Sequence, residues 1–453
     1  MSFVQKTFPC VKDLLHLHAN DTELFPFLLQ SVANGCDNAR YDILFAFPQQ
    51  CLTLEKQDKL NALWPLNSHH FLDEFNDWFK QEKNYSMDTE LPFHGGWFLF
   101  LSYELAQQIE PSLQLPAKGQ HLPIAFATRI PAAIITDHLK KTTTLICESN
   151  FSSLLPALEH YFSEIKSESY PLNTNVNAEI TEEPPQIYAK NIQKVINYIV
   201  AGDVFQVNLS RLWQLKSEVS AATLYAMLRK TNPAPFSGSI HWKNQFIIST
   251  SPERLIKAKS GKAEVRPIAG TRPRGRNEHG NIQHKKDIAL KKELFQHPKE
   301  RAEHVMLIDL ERNDLGRICQ PGSISVDEFM TLESYSHVHH IVSNITGKIR
   351  DEVLPGDILS AVFPGGTITG CPKIRCMEII AELEQQSRQA YTGSIGYINR
   401  NGDMDFNILI RTLIKHDEKI TFRAGGGIVN DSIPENEIDE TRAKAQGLIQ
   451  AFR

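Results

Sequence analysis

What this chain of 453 residues has little of narrows its class first. Its seven cysteines (Cys10, Cys36, Cys51, Cys147, Cys319, Cys371 and Cys376) are scattered, and no pair has CxxC spacing. Neither a disulfide framework nor a zinc site is implied, and a reducing compartment, the cytoplasm, is expected. No apolar run approaches the ~18 residues of a membrane span, so no membrane partner is expected. The opening Met1–Lys6 (MSFVQK) has neither the charged start nor the apolar core of a secretion signal. Basic residues are not in excess: 48 Lys and Arg stand against 53 Asp and Glu, a net charge of −5. The electrostatic footprint of a nucleic-acid binder is therefore missing. Neither GxxxxGK[ST] nor a GxGxxG between strand and helix occurs, which argues against a nucleotide cradle. His337 and His340 lie three apart, but no HExxH pattern accompanies them, so zinc is not expected there either.

The apolar share, 41%, is enough for one large core or two ordinary ones. Residues 167–186 are rich in Ser, Asn, Glu and Pro and have no apolar periodicity. They read as a connector between an N-terminal region, 1–166, and a C-terminal core, 187–453. In the first region Tyr41–Phe47 reads as a buried strand, and Leu91–Leu105 as a Gly-Gly turn entering an aromatic strand. Ile130–Asp137 and Lys141–Glu148 read as a hairpin. The core opens with a helix that carries Ile192, Val195, Ile196 and Ile199 on one face and stops at Gly202. Val204–Ser210 then alternates, turning Gln206 and Asn208 away from the apolar face, toward solvent or a site. Strands are predicted at Phe246–Ser251, Ala263–Pro267, Gly393–Asn399, Asn407–Ile414 and Lys419–Arg423. Helices are predicted at Asp287–Gln296, Lys299–Leu310, Pro372–Glu384 and Glu435–Phe452. Mixed without regular βαβ spacing, these elements predict an α+β fold: large, mostly antiparallel sheets packed together and flanked by helices.

Two of the helices mix carboxylates with apolar residues. Glu303 lies one turn from Leu307, and Glu437, Glu440 and Lys444 follow at one-turn spacing in the last helix. Such a face is either a solvated ion-pair surface or a ligand set for a hard cation, and spacing alone leaves both open. FPGGTITG (Phe363–Gly370) leads into a helix with Pro372 near its first position. RAGGGI (Arg423–Ile428) follows a strand, and its three glycines make either a nest of N–H groups for an anion or a tight turn or close packing. Arg411 follows Ile408-Leu409-Ile410 in a predicted strand, where a charge is costly unless paired and suits a carboxylate. Tyr397 ends the run Ser394-Ile395-Gly396-Tyr397.

At these residues the chain resembles the chorismate-converting synthases, specifically the large subunits of aminodeoxychorismate synthase and anthranilate synthase. The matching blocks are SPER (Ser251–Arg254), RPIAGTRPRG (Arg266–Gly275), ERAEHVMLIDLERNDLGR (Glu300–Arg317), YSHVHHIVS (Tyr335–Ser343), FPGGTITGCPKIRCMEII (Phe363–Ile380), GSIGY (Gly393–Tyr397), ILIRT (Ile408–Thr412) and AGGGIVNDSIPENEIDETRAKA (Ala424–Ala445). The N-terminal region resembles the family through LLQS (Leu28–Ser31) and RYD (Arg40–Asp42).

The resemblance implies a set of roles. Glu303 and Glu440 match Mg2+ ligands, the metal binding the ring carboxylate of chorismate. Tyr397 and Arg411 match residues that hold the enolpyruvyl carboxylate, and Gly425, Gly426, Gly427 and Lys444 match further carboxylate contacts. Thr271 is expected beside the ring. Glu253 and His340 match groups placed for acid/base work. Leu29, Ser31 and Arg40 fall in the segments that form a tryptophan pocket in relatives. Aminodeoxychorismate synthases commonly carry PIKGT, whose lysine attacks the ring. Here that position is Ala269, as in the PIAGT of anthranilate synthases, so the lysine route is closed. FPGGTITG, GSIGY and the compact length point back to aminodeoxychorismate synthase, with anthranilate synthase as the alternative. A different class remains in view, an inactive chorismate-binding regulator, against which the retained acidic and basic residues argue. No cysteine sits in a GxCxG setting, so the resemblance implies a separate glutamine amidotransferase subunit that supplies ammonia.

Overall fold

The computed structural model describes residues 3–32, 40–56, 59–85, 89–165, 169–171, 178–276, 282–334 and 338–452. Among them, the strands gather into two large antiparallel sheets, one of twelve strands and one of eleven, with helices packed outside. This is the α+β architecture that the element pattern predicts.

The larger sheet runs Phe3–Phe8, Thr142–Glu148, Ala132–Asp137, Tyr41–Ala46, Phe27–Gln30, Phe236–Trp242, Gln245–Ser251, Thr412–His416, Lys419–Ile428, Gln206–Lys216, Thr181–Glu182, with Gly370–Cys371 also pairing with Gln206–Lys216. The second runs Ile268–Pro273, Val338–Lys348, Lys262–Val265, Arg254–Lys259, Met404–Asn407, Ser394–Asn399, Gly96–Leu101, Ala125–Ile130, Cys51–Glu55, Lys59–Asn61, with Ser325–Ser334 also pairing with Val338–Lys348. Strands from both sides of residues 167–186 enter both sheets, a block from the first region meeting a block from the second at one strand pair in each. Phe27–Gln30 pairs with Phe236–Trp242, and Gly96–Leu101 with Ser394–Asn399.

The aromatic runs explain the layering. Phe27 from one sheet stacks on Phe98 from the other at 4.1 Å, and Phe45, Phe126 and Ile395 join them in the inter-sheet core. The outer face of the larger sheet (Trp213, Phe422, Ala424) is covered by the helices Ala221–Thr231 and Pro434–Ile449. The outer face of the second sheet (Trp97, Leu99, Ile256) is covered by Phe71–Glu82, Pro298–Gly316 and Pro355–Val362. Sheets covered on both faces require strands that are apolar throughout, as in GWFLFL (Gly96–Leu101), which is buried along its whole length.

Three local expectations are corrected. The segment Asn407–Ile414 is not one strand: Met404–Asn407 and Thr412–His416 belong to different sheets, and the chain crosses between them at residues 408–411. Lys419–Arg423 does not stop before the glycines but runs on to Ile428. Pro372 is the N-cap of the helix Lys373–Glu384 rather than its first residue.

Candidate active site

The crossing points between the sheets bring the chemistry together. Gly425, Gly426 and Gly427 lie inside a strand, opposite Ser210, Leu209 and Asn208, and none of the three has positive φ. Of the readings open for this run, close packing describes what is seen: a strand whose glycines serve close approach. Alternation turns Gly425 and Gly427 one way and Gly426 the other. A Cβ on Gly425 would lie 2.8 Å from the Tyr391 hydroxyl, and one on Gly427 would run into the Gln206 amide. A Cβ on Gly426 would lie 3.3 Å from Glu440 Oε1 and 3.5 Å from Glu437 Oε2. The Gln206 Oε1 acceptor is buried with no hydrogen-bond partner among the described residues, and Asn208 Nδ2 donates to the Thr367 carbonyl at 3.3 Å.

The helix Pro434–Ile449 sets its carboxylates over this strand. Lys444 Nζ donates to the Gly425 carbonyl at 3.0 Å and pairs with Glu440 at 2.7 Å. Glu303 is half-buried on the helix Pro298–Gly316, one turn beyond Glu300. Glu300 accepts from Arg272 at 3.1 Å and would lie 2.9 Å from a Cβ on Gly270. Two carboxylates, on Glu437 and Glu440, converge on one glycine, while no group of three or more His, Cys, Asp or Glu placed to hold a metal occurs among the described residues. One or two carboxylates are what a Mg2+ ion takes from a protein, the rest of its shell being water and substrate oxygens.

Glu253 is buried beside the turn at Phe363–Gly370. It follows the strand Gln245–Ser251, and its carbonyl accepts from Ile408 N–H at 3.0 Å. Thr367 Oγ1 donates to Glu253 Oε1 at 2.7 Å. Burial pushes its carboxyl up to about 7, against the smaller opposing effects of the Thr367 hydrogen bond and the Lys444 charge. A carboxyl in that range is a proton donor near neutrality.

His340 faces the second sheet's edge strand. Its Nδ1 lies 3.3 Å from the Gly270 carbonyl, which can only accept, so the proton is assigned to Nδ1 and the lone pair to Nε2. Burial pushes His340 down to about 4, with the Arg411 charge adding to the shift, so the ring is neutral at physiological pH. Thr271 pairs with His340 in register, and its side chain lies outside the described residues. Ala269 is buried opposite Ile341, a small apolar group at the position of the family's lysine. His337 lies outside the described residues.

Arg411 has φ of 51°, a left-handed conformation that is strained for a side chain of its size. Its carbonyl accepts from Thr250 N–H at 3.2 Å, and its Nη1 donates to Asn232 at 3.3 Å. Burial lowers its pKa. A half-buried guanidinium that donates to a neutral amide among the described residues is suited to an anionic ligand.

Tyr397 departs from expectation. It packs against Phe45 and Phe93 and lines a separate cavity of about 430 Å³, together with Leu29, Ser31, Arg40, Arg254 and Asp405. The tyrosine that meets the glycines is Tyr391, six residues earlier, and burial pushes its hydroxyl up to about 12. Arg388 holds it in place: the guanidinium lies 5.5 Å from the Tyr391 ring and pairs with buried Glu384 at 2.6 Å, which Arg423 also reaches at 3.2 Å. Little in the sequence signals this cluster: Glu384 and Arg388 stand in a polar stretch, EQQSRQ, where i,i+4 spacing reads as an ordinary surface ion pair.

A two-sheet fold with a carboxylate-lined, glycine-backed site defines a class that comparison names. The family model described as chorismate binding enzyme matches residues 27–450, and the chain belongs to that family. It is 40% identical over 393 residues to aminodeoxychorismate synthase component 1 of Bacillus subtilis, covering 83% of this chain and 81% of the relative. It is also 40% identical over 371 residues to an anthranilate synthase component I-like protein of Synechocystis sp., covering 81% and 74%. The solved anthranilate synthase component I from Streptococcus pneumoniae superposes with a TM-score of 0.81 at 31% identity, covering 90% of this chain and 92% of that one.

Proposed function

We propose that the chain is the chorismate-aminating component of an aminodeoxychorismate synthase. It converts chorismate and ammonia to 4-amino-4-deoxychorismate and water, the ammonia coming from a separate glutamine amidotransferase subunit. The observation that carries the reading is buried Glu253, a carboxyl that keeps its proton near neutrality beside the Phe363–Gly370 turn. Arg411 anchors the enolpyruvyl carboxylate with Tyr391 at its side. Lys444 and the Gly425–Gly427 backbone take further carboxylate oxygens. Glu303 and Glu440 would hold a Mg2+ ion, which when bound would supply positive charge near the ring carboxylate. Glu253 gives its proton to the departing ring hydroxyl as water leaves, and its carboxylate recovers a proton from the nitrogen that has added. Neutral His340 offers Nε2 beside the ring without adding positive charge. Because Ala269 has no amine, ammonia itself bonds to the ring, and no enzyme-linked intermediate forms.

A second reading, anthranilate synthase component I, is favoured by Ala269 and by the Synechocystis and Streptococcus relatives. The cavity of Leu29, Ser31 and Arg40 is proposed as a pocket for an amino acid of tryptophan's size. Chorismate consumption measured with and without ammonium and Mg2+ tests the amination. The proposal expects loss of chorismate only when both are present. No loss under that condition would leave an inactive chorismate-binding protein.

A further inference from the structure

The buried carboxylate of Glu311 has no part in the chemistry above. It lies on the Pro298–Gly316 helix, two turns beyond Glu303, and is almost fully buried. Its Oε1 would be 3.4 Å from a Cβ on Gly366, and it accepts the Gly366 backbone N–H. The next residue is Thr367, whose hydroxyl donates to Glu253 at 2.7 Å. Three residues along the helix, Asp314 pairs with Lys373 at 2.5 Å, tying the same helix to the start of Lys373–Glu384. The turn Gly366–Ile368 is thus clamped between two helices, with Glu311 holding its first N–H. Any side chain at 366 would also press into Leu310.

We propose that Glu311 is a positioning residue for the acid: it fixes Gly366, and through it the Thr367 hydroxyl that decides how Glu253 presents its proton. The chemical logic is one of lone pairs. A protonated carboxyl carries its hydrogen on one oxygen. Thr367 donates to Oε1, so the acid proton belongs on Oε2. Without that hydroxyl the proton is shared between the two oxygens and the carboxyl is free to rotate, and part of the population points the wrong way. Glu311 touches neither substrate nor metal in this scheme.

The inference rests on the reading of Glu253 as the acid, so the experiment separates the two. Glu311→Ala, Glu311→Gln, Thr367→Val, Glu311→Ala/Thr367→Val and Glu253→Gln are assayed in the full chain with chorismate, Mg2+ and ammonium, alongside thermal melts. A misplaced reacting group costs up to about 100-fold. Glu311→Ala is expected to lower kcat ~10- to 100-fold with KM for chorismate within about twofold. Thr367→Val is expected to match it, the double variant to be no worse than either single one, and Glu311→Gln, which still accepts the Gly366 N–H, to recover most of the rate. If Glu311→Ala fails to fold, the Thr367→Val loss and the Glu311→Gln recovery carry the test. Full activity in Glu311→Ala or Thr367→Val would overturn the proposal, as would losses that multiply in the double variant. Full activity in Glu253→Gln would instead sink the acid assignment on which it rests.

Discussion

Replacing Glu253 by Gln separates the use of this residue from its cost to folding. In the native protein burial holds its carboxyl at about 7, against a reference of 4.5. The folded state therefore binds more protons than the unfolded chain between these values, and stability falls as pH rises through that window. At 1.36 kcal/mol per unit, the folded state is disfavoured by up to about 3 kcal/mol above pH 7 and by only about 1 kcal/mol at pH 5. Gln keeps the shape and an acceptor for Thr367 but cannot ionise. The variant is expected to be more stable than the parent by about 3 kcal/mol at pH 8.5, with most of the gain gone at pH 5. Scaled by the usual unfolding entropy per residue, the gain is about 3 °C in Tm. Turnover should fall at least ~100-fold at both pH values, as for loss of a general acid. Thermal melts of both proteins at the two pH values, with chorismate consumption in parallel, make the test. A Tm difference that does not change with pH would refute the burial argument, and retained turnover would refute the catalytic one.

Other outcomes follow from the same geometry. Glu440→Gln should abolish turnover while circular dichroism and Tm stay near the parent, because the residue is half exposed and its partner Lys444 keeps the Gly425 carbonyl. Tyr391→Phe should raise KM for chorismate ~10-fold or more, the effect of losing a hydrogen bond to a charged group, whereas Tyr397→Phe should leave it within twofold. Steady-state kinetics on the pair decides between the two tyrosines. Expressed per free ammonia, kcat should decline above pH 7 as Glu253 loses its proton, and a rate rising through pH 9 after that correction would contradict the assignment.

Much of the site was legible in the sequence because its residues sit in motifs whose chemistry is local. Glu440 and Lys444 lie one turn apart on the last helix, Glu303 lies on the predicted helix that contains Leu307, and Glu253 of SPER follows the strand predicted to end at Ser251, as in the structure. Less legible was anything decided by contacts between distant segments. Ile408-Leu409-Ile410 reads as strand, yet the chain there crosses between sheets, bound by Ile408 N–H to Glu253 and Thr250 N–H to Arg411, and only those pairings force Arg411 to φ 51°. The glycine run leaves a nest, a tight turn and close packing open, because glycine suits all three. Pairing with Gln206–Lys216 over ten positions makes it strand, and the need is for room beside Gln206, Tyr391 and Glu440. Tyr397 and Tyr391 share a strand's neighbourhood in sequence, and alternation cannot say which cavity each one enters. The helices Phe71–Glu82 and Ala221–Thr231 went unpredicted although both carry apolar residues at helical spacing, Phe71, Phe75, Trp78 and Phe79 in the first and Leu224, Tyr225 and Leu228 in the second.

The identity of the product bears most directly on the account. Purified protein incubated with chorismate, Mg2+ and ammonium, with products resolved by chromatography, should yield a compound that becomes 4-aminobenzoate only after the downstream lyase is added. Direct appearance of fluorescent anthranilate would contradict it.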